Sequence, residues 1–73
     1  MKKVELRIAE ALKERNLKQS DLVAKTKMRP NAISNLYRGY VDRLSLDHLE
    51  KIANALDIDD INELITLKEV EKE

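Results

Sequence analysis

The 73-residue sequence predicts a compact all-α domain of five helices. Three observations carry that expectation. Apolar residues recur at helical spacing along the chain, residues suited to helix ends stand between the recurrences, and no stretch is read as the apolar–polar alternation of a half-buried strand. One Gly and one Pro leave little material for hairpin turns.

Val4, Ile8 and Leu12, with Ala11 beside them, are spaced i, i+4, i+8 and predict a first helix from Lys3 to Arg15. Asn16 tolerates the left-handed conformation that ends a helix. Leu22 and Val23 give a short second helix, Gln19 to Thr26. Pro30 suits the first turn of a third helix, where its missing N–H costs nothing, and Gly39 terminates that helix. Ile33 and Leu36 form its inner face. Ser45 is a good N-cap for a fourth helix, whose stripe is Leu46, Leu49, Ile52, Ala53 and Leu56. Asp59 or Asp60 caps a fifth, with Ile61, Leu64 and Ile65 as its buried face. The domain is expected to span residues 1–66, and residues 67–73 to form a charged tail that frays.

Composition removes several function classes. No Cys excludes disulfides and thiolate metal sites, and a single His excludes a His-based zinc cage. Carboxylates lie at surface spacing without a nucleophile or glycine loop, so neither catalysis nor a cofactor is expected. No apolar run or signal-peptide pattern points to a membrane. The net charge is zero, but its distribution is uneven: +2 over residues 1–17, +4 over 18–43 and −6 over 44–73. The basic first half suggests an anionic partner.

The segment Leu17 to Gly39 holds two short helices and a tight turn, Lys27-Met28-Arg29. With Ile33 and Leu36 turned inward, the second helix presents Asn31, Ser34, Asn35 and Arg38 outward. Asn carries the donor–acceptor pair that reads adenine in a major groove, Ser serves any base, and Ala32 is small enough to meet a thymine methyl. Gln19 opens the preceding helix, where free N–H groups hold a phosphate. Lys25, Lys27, Arg29, Arg38 and Arg43 flank the pair. Tyr40 offers a hydroxyl to the backbone, and Tyr37 is read as packing beside Gly39. This is the arrangement of a helix-turn-helix.

Three stretches resemble the Cro/CI-type (XRE) helix-turn-helix regulators of bacteria and phages: Leu17-Lys-Gln-Ser-Asp-Leu-Val23, Met28-Arg-Pro-Asn-Ala-Ile-Ser-Asn-Leu-Tyr-Arg-Gly39 and Ser45-Leu-Asp-His-Leu-Glu-Lys-Ile-Ala-Asn-Ala-Leu56. The resemblance covers residues 4–65. It implies a five-helix lambda-repressor-like domain that binds an operator in double-stranded DNA as a symmetric dimer, in the cytoplasm of a bacterial or phage-bearing cell. It places Asn31 and Asn35 at base-reading sites, with Ala32 and Ser34 beside them, and Gln19 at a phosphate. Lys27 stands where the family has Gly, which requires either a left-handed Lys or a different turn. Lys18 and Arg29 stand where it has Ser or Thr caps.

Ile61, Leu64, Leu67 and Val70 run i, i+3, i+6, i+9 and are expected to continue the fifth helix as a dimer seam. The leading expectation is a sequence-specific repressor. The competing one is a protein-interaction module on the same fold, an antitoxin or antirepressor that binds a regulatory partner protein.

Overall fold

The computed structural model describes residues 1–71. Four α-helices and a two-stranded sheet make up its regular structure, with the order β1 (Lys2–Leu6), α1 (Ile8–Glu14), α2 (Gln19–Thr26), α3 (Pro30–Arg38), α4 (Leu46–Leu56), a 3₁₀ turn (Ile61–Glu63) and β2 (Ile65–Glu69).

The three central elements start and stop where their sequence directs. Ser45 caps α4 by accepting the His48 N–H on its hydroxyl at 3.4 Å. Pro30 occupies the first turn of α3. The ends of α1, α3 and α4 share one device. A left-handed residue (Asn16, Gly39, Asp57) is followed by one whose N–H reaches back five residues: Leu17 to Leu12, Tyr40 to Asn35, Ile58 to Ala53, each at 2.9 Å. This places Ile58 in the core and half-buries Leu17, whereas Tyr40 is exposed.

The core is one cluster drawn from every helix. Ile8, Leu12, Leu22, Ile33, Ile52 and Leu64 are its fully buried large side chains. Ala11, Met28, Leu36, Leu49, Leu56 and Ile58 complete it. Leu46, expected on the inner stripe of α4, is exposed in the first turn.

Both ends of the described chain differ from the helical expectation. The first helix begins at Ile8, and residues 2–6 are extended. The fifth helix is one 3₁₀ turn, after which residues 65–69 pair antiparallel with 2–6. The register sets Val4 opposite Leu67 and Leu6 opposite Ile65. Val4 and Leu6 alternate with Lys3 and Glu5, and Ile65 and Leu67 with Thr66 and Lys68. That period of two competes with the helical reading and wins because each strand supplies the hydrogen bonds the other lacks. The expected boundary at residue 66 therefore falls inside β2, and residues 67–69 belong to the sheet rather than to a frayed tail; Lys72 and Glu73 lie outside the described residues. Arg7 N–H closes the inner end of the pair onto the Leu64 carbonyl at 2.6 Å. Burial falls along both strands away from that end. The molecule is elongated, 41 × 23 × 21 Å.

Candidate nucleic-acid interface

Helices α2 and α3 are joined by the three residues expected, Lys27-Met28-Arg29. Of the two possibilities open for the turn, the left-handed Lys is found, with φ 59° at Lys27. Its N–H donates to the Val23 carbonyl at 2.7 Å. Thr26 fastens the same corner. Its buried hydroxyl donates to the Leu22 carbonyl at 2.7 Å and accepts the Met28 N–H at 3.2 Å. Met28 turns into the core, so the corner is held from inside by an apolar side chain and from above by one hydroxyl. Neither Thr26 nor Met28 was singled out in the sequence. The signal for Met28 is its place immediately after a helix-ending residue, the place Ile58 also holds.

Only half of a capping box forms at the start of α2. Asp21 accepts the Lys18 N–H on its carboxylate at 2.8 Å. The Lys18 ammonium has no lone pair to return the bond. Asp21 thus spends its charge on the backbone of its own helix.

Ile33 and Leu36 point inward from α3 as expected, and the opposite side is open. Asn31, Asn35 and Arg38 are exposed at i, i+4, i+7, and half-buried Ser34 lies on the same face. Ala32 is turned further in, packed against the core and lining a cleft of about 310 Å³ with Asn35, Val41, Arg43 and His48. Gln19 is half-buried at the start of α2. Lys27, Arg29, Tyr40 and Arg43 are exposed. Tyr37 packs against the core.

The ion pairs pass this segment by, as they do Lys2, Lys3 and Lys13. Among the described residues they join Arg7 to Glu10, Arg15 to Glu14 and Glu63, Lys51 to Asp47, Lys68 to Glu5, and the Met1 amino group to Glu69. None involves Lys18, Lys25, Lys27, Arg29, Arg38 or Arg43.

The expected dimer seam is dispersed. Leu64 is fully buried in the monomer's own core, Ile61 is exposed on the 3₁₀ turn, Leu67 is exposed on β2, and Val70 follows the strand. Without a helix through 59–70, these four side chains form no continuous stripe. Among the described residues no group of His, Asp and Glu side chains is placed to hold a metal ion, and no helix is long and apolar enough to cross a membrane.

A family model described as a Cro/C1-type HTH DNA-binding domain matches residues 7–69 of the 73. No curated protein and no solved structure matches the chain.

Proposed function

The chain belongs to the Cro/C1-type helix-turn-helix DNA-binding domains, and from that premise we propose that it is an operator-binding repressor that reads the major groove with α3. The observation that carries this reading is the polar face of Asn31, Ser34, Asn35 and Arg38 standing among cations that no carboxylate of the described chain neutralises. In this reading α3 enters the groove, and Asn31 and Asn35 present their amides to base edges, each suited to the paired donor and acceptor of adenine. Ser34 and, at the rim, Ala32 fill the space between. Helix α2 crosses the backbone, with Gln19 and the unpaired N–H groups of its first turn at a phosphate. Lys27, Arg29, Arg38 and Arg43 neutralise phosphates, with Tyr40 as a hydroxyl donor. These contacts position the helix and carry no sequence information themselves. Repression follows from occupancy, because a protein seated on an operator excludes others from it. The active form on DNA is a symmetric dimer.

Selection of bound sequences from a random double-stranded pool at near-physiological salt tests the proposal. It expects an enriched palindrome with half-sites about 10 base pairs apart. Weak, salt-sensitive binding with no enrichment overturns it and favours the protein-interaction module.

A further inference from the structure

The sheet ends in a feature that the helix-turn-helix does not use. Val4 and Leu67 are directly opposite each other in the register, yet 58% and 63% exposed. A two-stranded ribbon standing by itself is marginal in water. On the opposite face Lys3 lies directly across from Lys68, whose ammonium meets Glu5 at 3.5 Å and leaves Lys3, among the described residues, without a carboxylate of its own.

The hydrogen bonds fix which backbone groups are free. Met1 and Val70 exchange bonds at 2.8 and 3.1 Å, and Arg7 donates to Leu64. In an antiparallel pair such bonded positions alternate. Lys3 and Glu5 therefore turn their N–H and C=O groups toward β2, while Lys2, Val4 and Leu6 turn theirs to the outer edge of β1. That edge borders a cleft of about 490 Å³, walled on its far side by Tyr37, Val41, Asp42 and Leu44 and by no residue of β2.

We propose that this edge pairs with β1 of a second copy, antiparallel and centred on Val4, to make a continuous four-stranded sheet across a dimer. The order of residues is self-complementary in that register alone. Val4 meets Val4 of the second copy as a doubly bonded pair, and Lys2 meets Leu6. Lys3 stands opposite Glu5 of the second copy, and Glu5 opposite its Lys3. The Lys3–Glu5 positions are the non-bonded ones, where side chains approach most closely. Each Glu5, already 3.5 Å from Lys68 of its own sheet, then stands between two lysines. On the other face both copies' Val4 and Leu67 gather into one apolar patch continuous with half-buried Leu6 and Ile65. The outer edge of β2 lacks this pattern. Pairing it with itself about Leu67 sets Lys68 against Thr66 and Glu69 against Ile65, with no opposite charges facing each other. Charges on an exposed edge discourage indiscriminate pairing and admit a strand with the complementary order. Strand addition of this kind draws affinity from main-chain bonds and selectivity from side chains.

Sedimentation equilibrium of the full chain, without DNA, tests the pairing. The wild type is expected at twice the 8.5 kDa chain mass. Lys3→Glu and Glu5→Lys each place like charges together across the axis and are expected as monomers. An equimolar mixture of the two restores both attractive pairs and is expected to recover the dimer mass. Val4→Pro removes an N–H that faces outward, so it leaves the β1–β2 ladder intact and is expected to be monomeric with an unchanged circular dichroism spectrum. A monomeric wild type, a dimer that survives Val4→Pro, or a mixture that stays monomeric overturns the proposal. Because no DNA is present, its failure is distinct from failure of the operator reading.

Discussion

Lys68 in β2 meets Glu5 across the sheet at 3.5 Å, and Arg15 spans three elements, bonding the Ala11 carbonyl, the Leu56 carbonyl and the Glu63 carboxylate at 3.1 to 3.3 Å. Around α3 the cations meet nothing comparable: Arg29, Arg38 and Arg43 are exposed and without ion pairs. The same residue type is thus used in two ways. Outside residues 18–43 both arginines, Arg7 and Arg15, are paired with carboxylates of the chain. Inside that segment Asp21 is committed to a helix N-terminus, and the basic side chains are left over. A net charge of zero conceals this, because the sum counts a paired Arg and an unpaired one alike.

The largest expected effect removes the packing that both regions share. Ile33→Ala empties a fully buried site beneath the exposed face of α3. It should cost about 2–5 kcal/mol, read as a lowered midpoint in urea. DNA binding should be lost with the fold rather than independently of it. Asn35→Ala is expected to act on recognition alone. It is expected to cost about 1–3 kcal/mol on a selected site and little on random DNA, measured by competition anisotropy. Equal loss on both sequences would remove Asn35 from base reading.

A pair of arginine variants sharpens the comparison. Arg38→Ala should reduce the log–log salt slope of DNA binding by about 0.9 while leaving the melting temperature where it was. Arg15→Ala should do the reverse, with an unchanged slope and a midpoint lower by about 4–8 °C for each kcal/mol lost. If both variants change both quantities, the division of the charges into two uses is wrong. Lys27→Gly is the smallest change and runs in opposite directions at once. Relief of the left-handed backbone should raise stability by up to about 1 kcal/mol. Loss of one cation should lower the salt slope by about 0.9.

The middle of the molecule was legible because its signals are local. Pro30, Gly39 and Ser45 act within one turn of where they stand, and the stripe from Leu49 to Leu56 lies within a single helix. The sheet was not legible by the same means. Val4, Ile8 and Leu12 fit a helix as well as they fit a strand followed by a helix. What decides between them is Leu67, more than sixty positions away in the chain, and no window contains both. A clue existed in Ile65-Thr66, a β-branched pair at the start of an alternating run. The outward face of α3 was legible in outline. The unpaired state of its cations was not, since pairing depends on which elements end up adjacent in space.

One consequence of the register concerns time rather than geometry. Residues 2–6 leave the ribosome before all four helices and residues 65–69 only after them, so β1 waits through the synthesis of everything between. Closing the sheet brings together positions far apart in the chain, and such contacts form late because their loop entropy is lost before they give anything back. The helices that carry Asn31 and Asn35 have no such wait. A nascent chain therefore forms its helices before its sheet, and the sheet's edge becomes a sign that translation has passed residue 69.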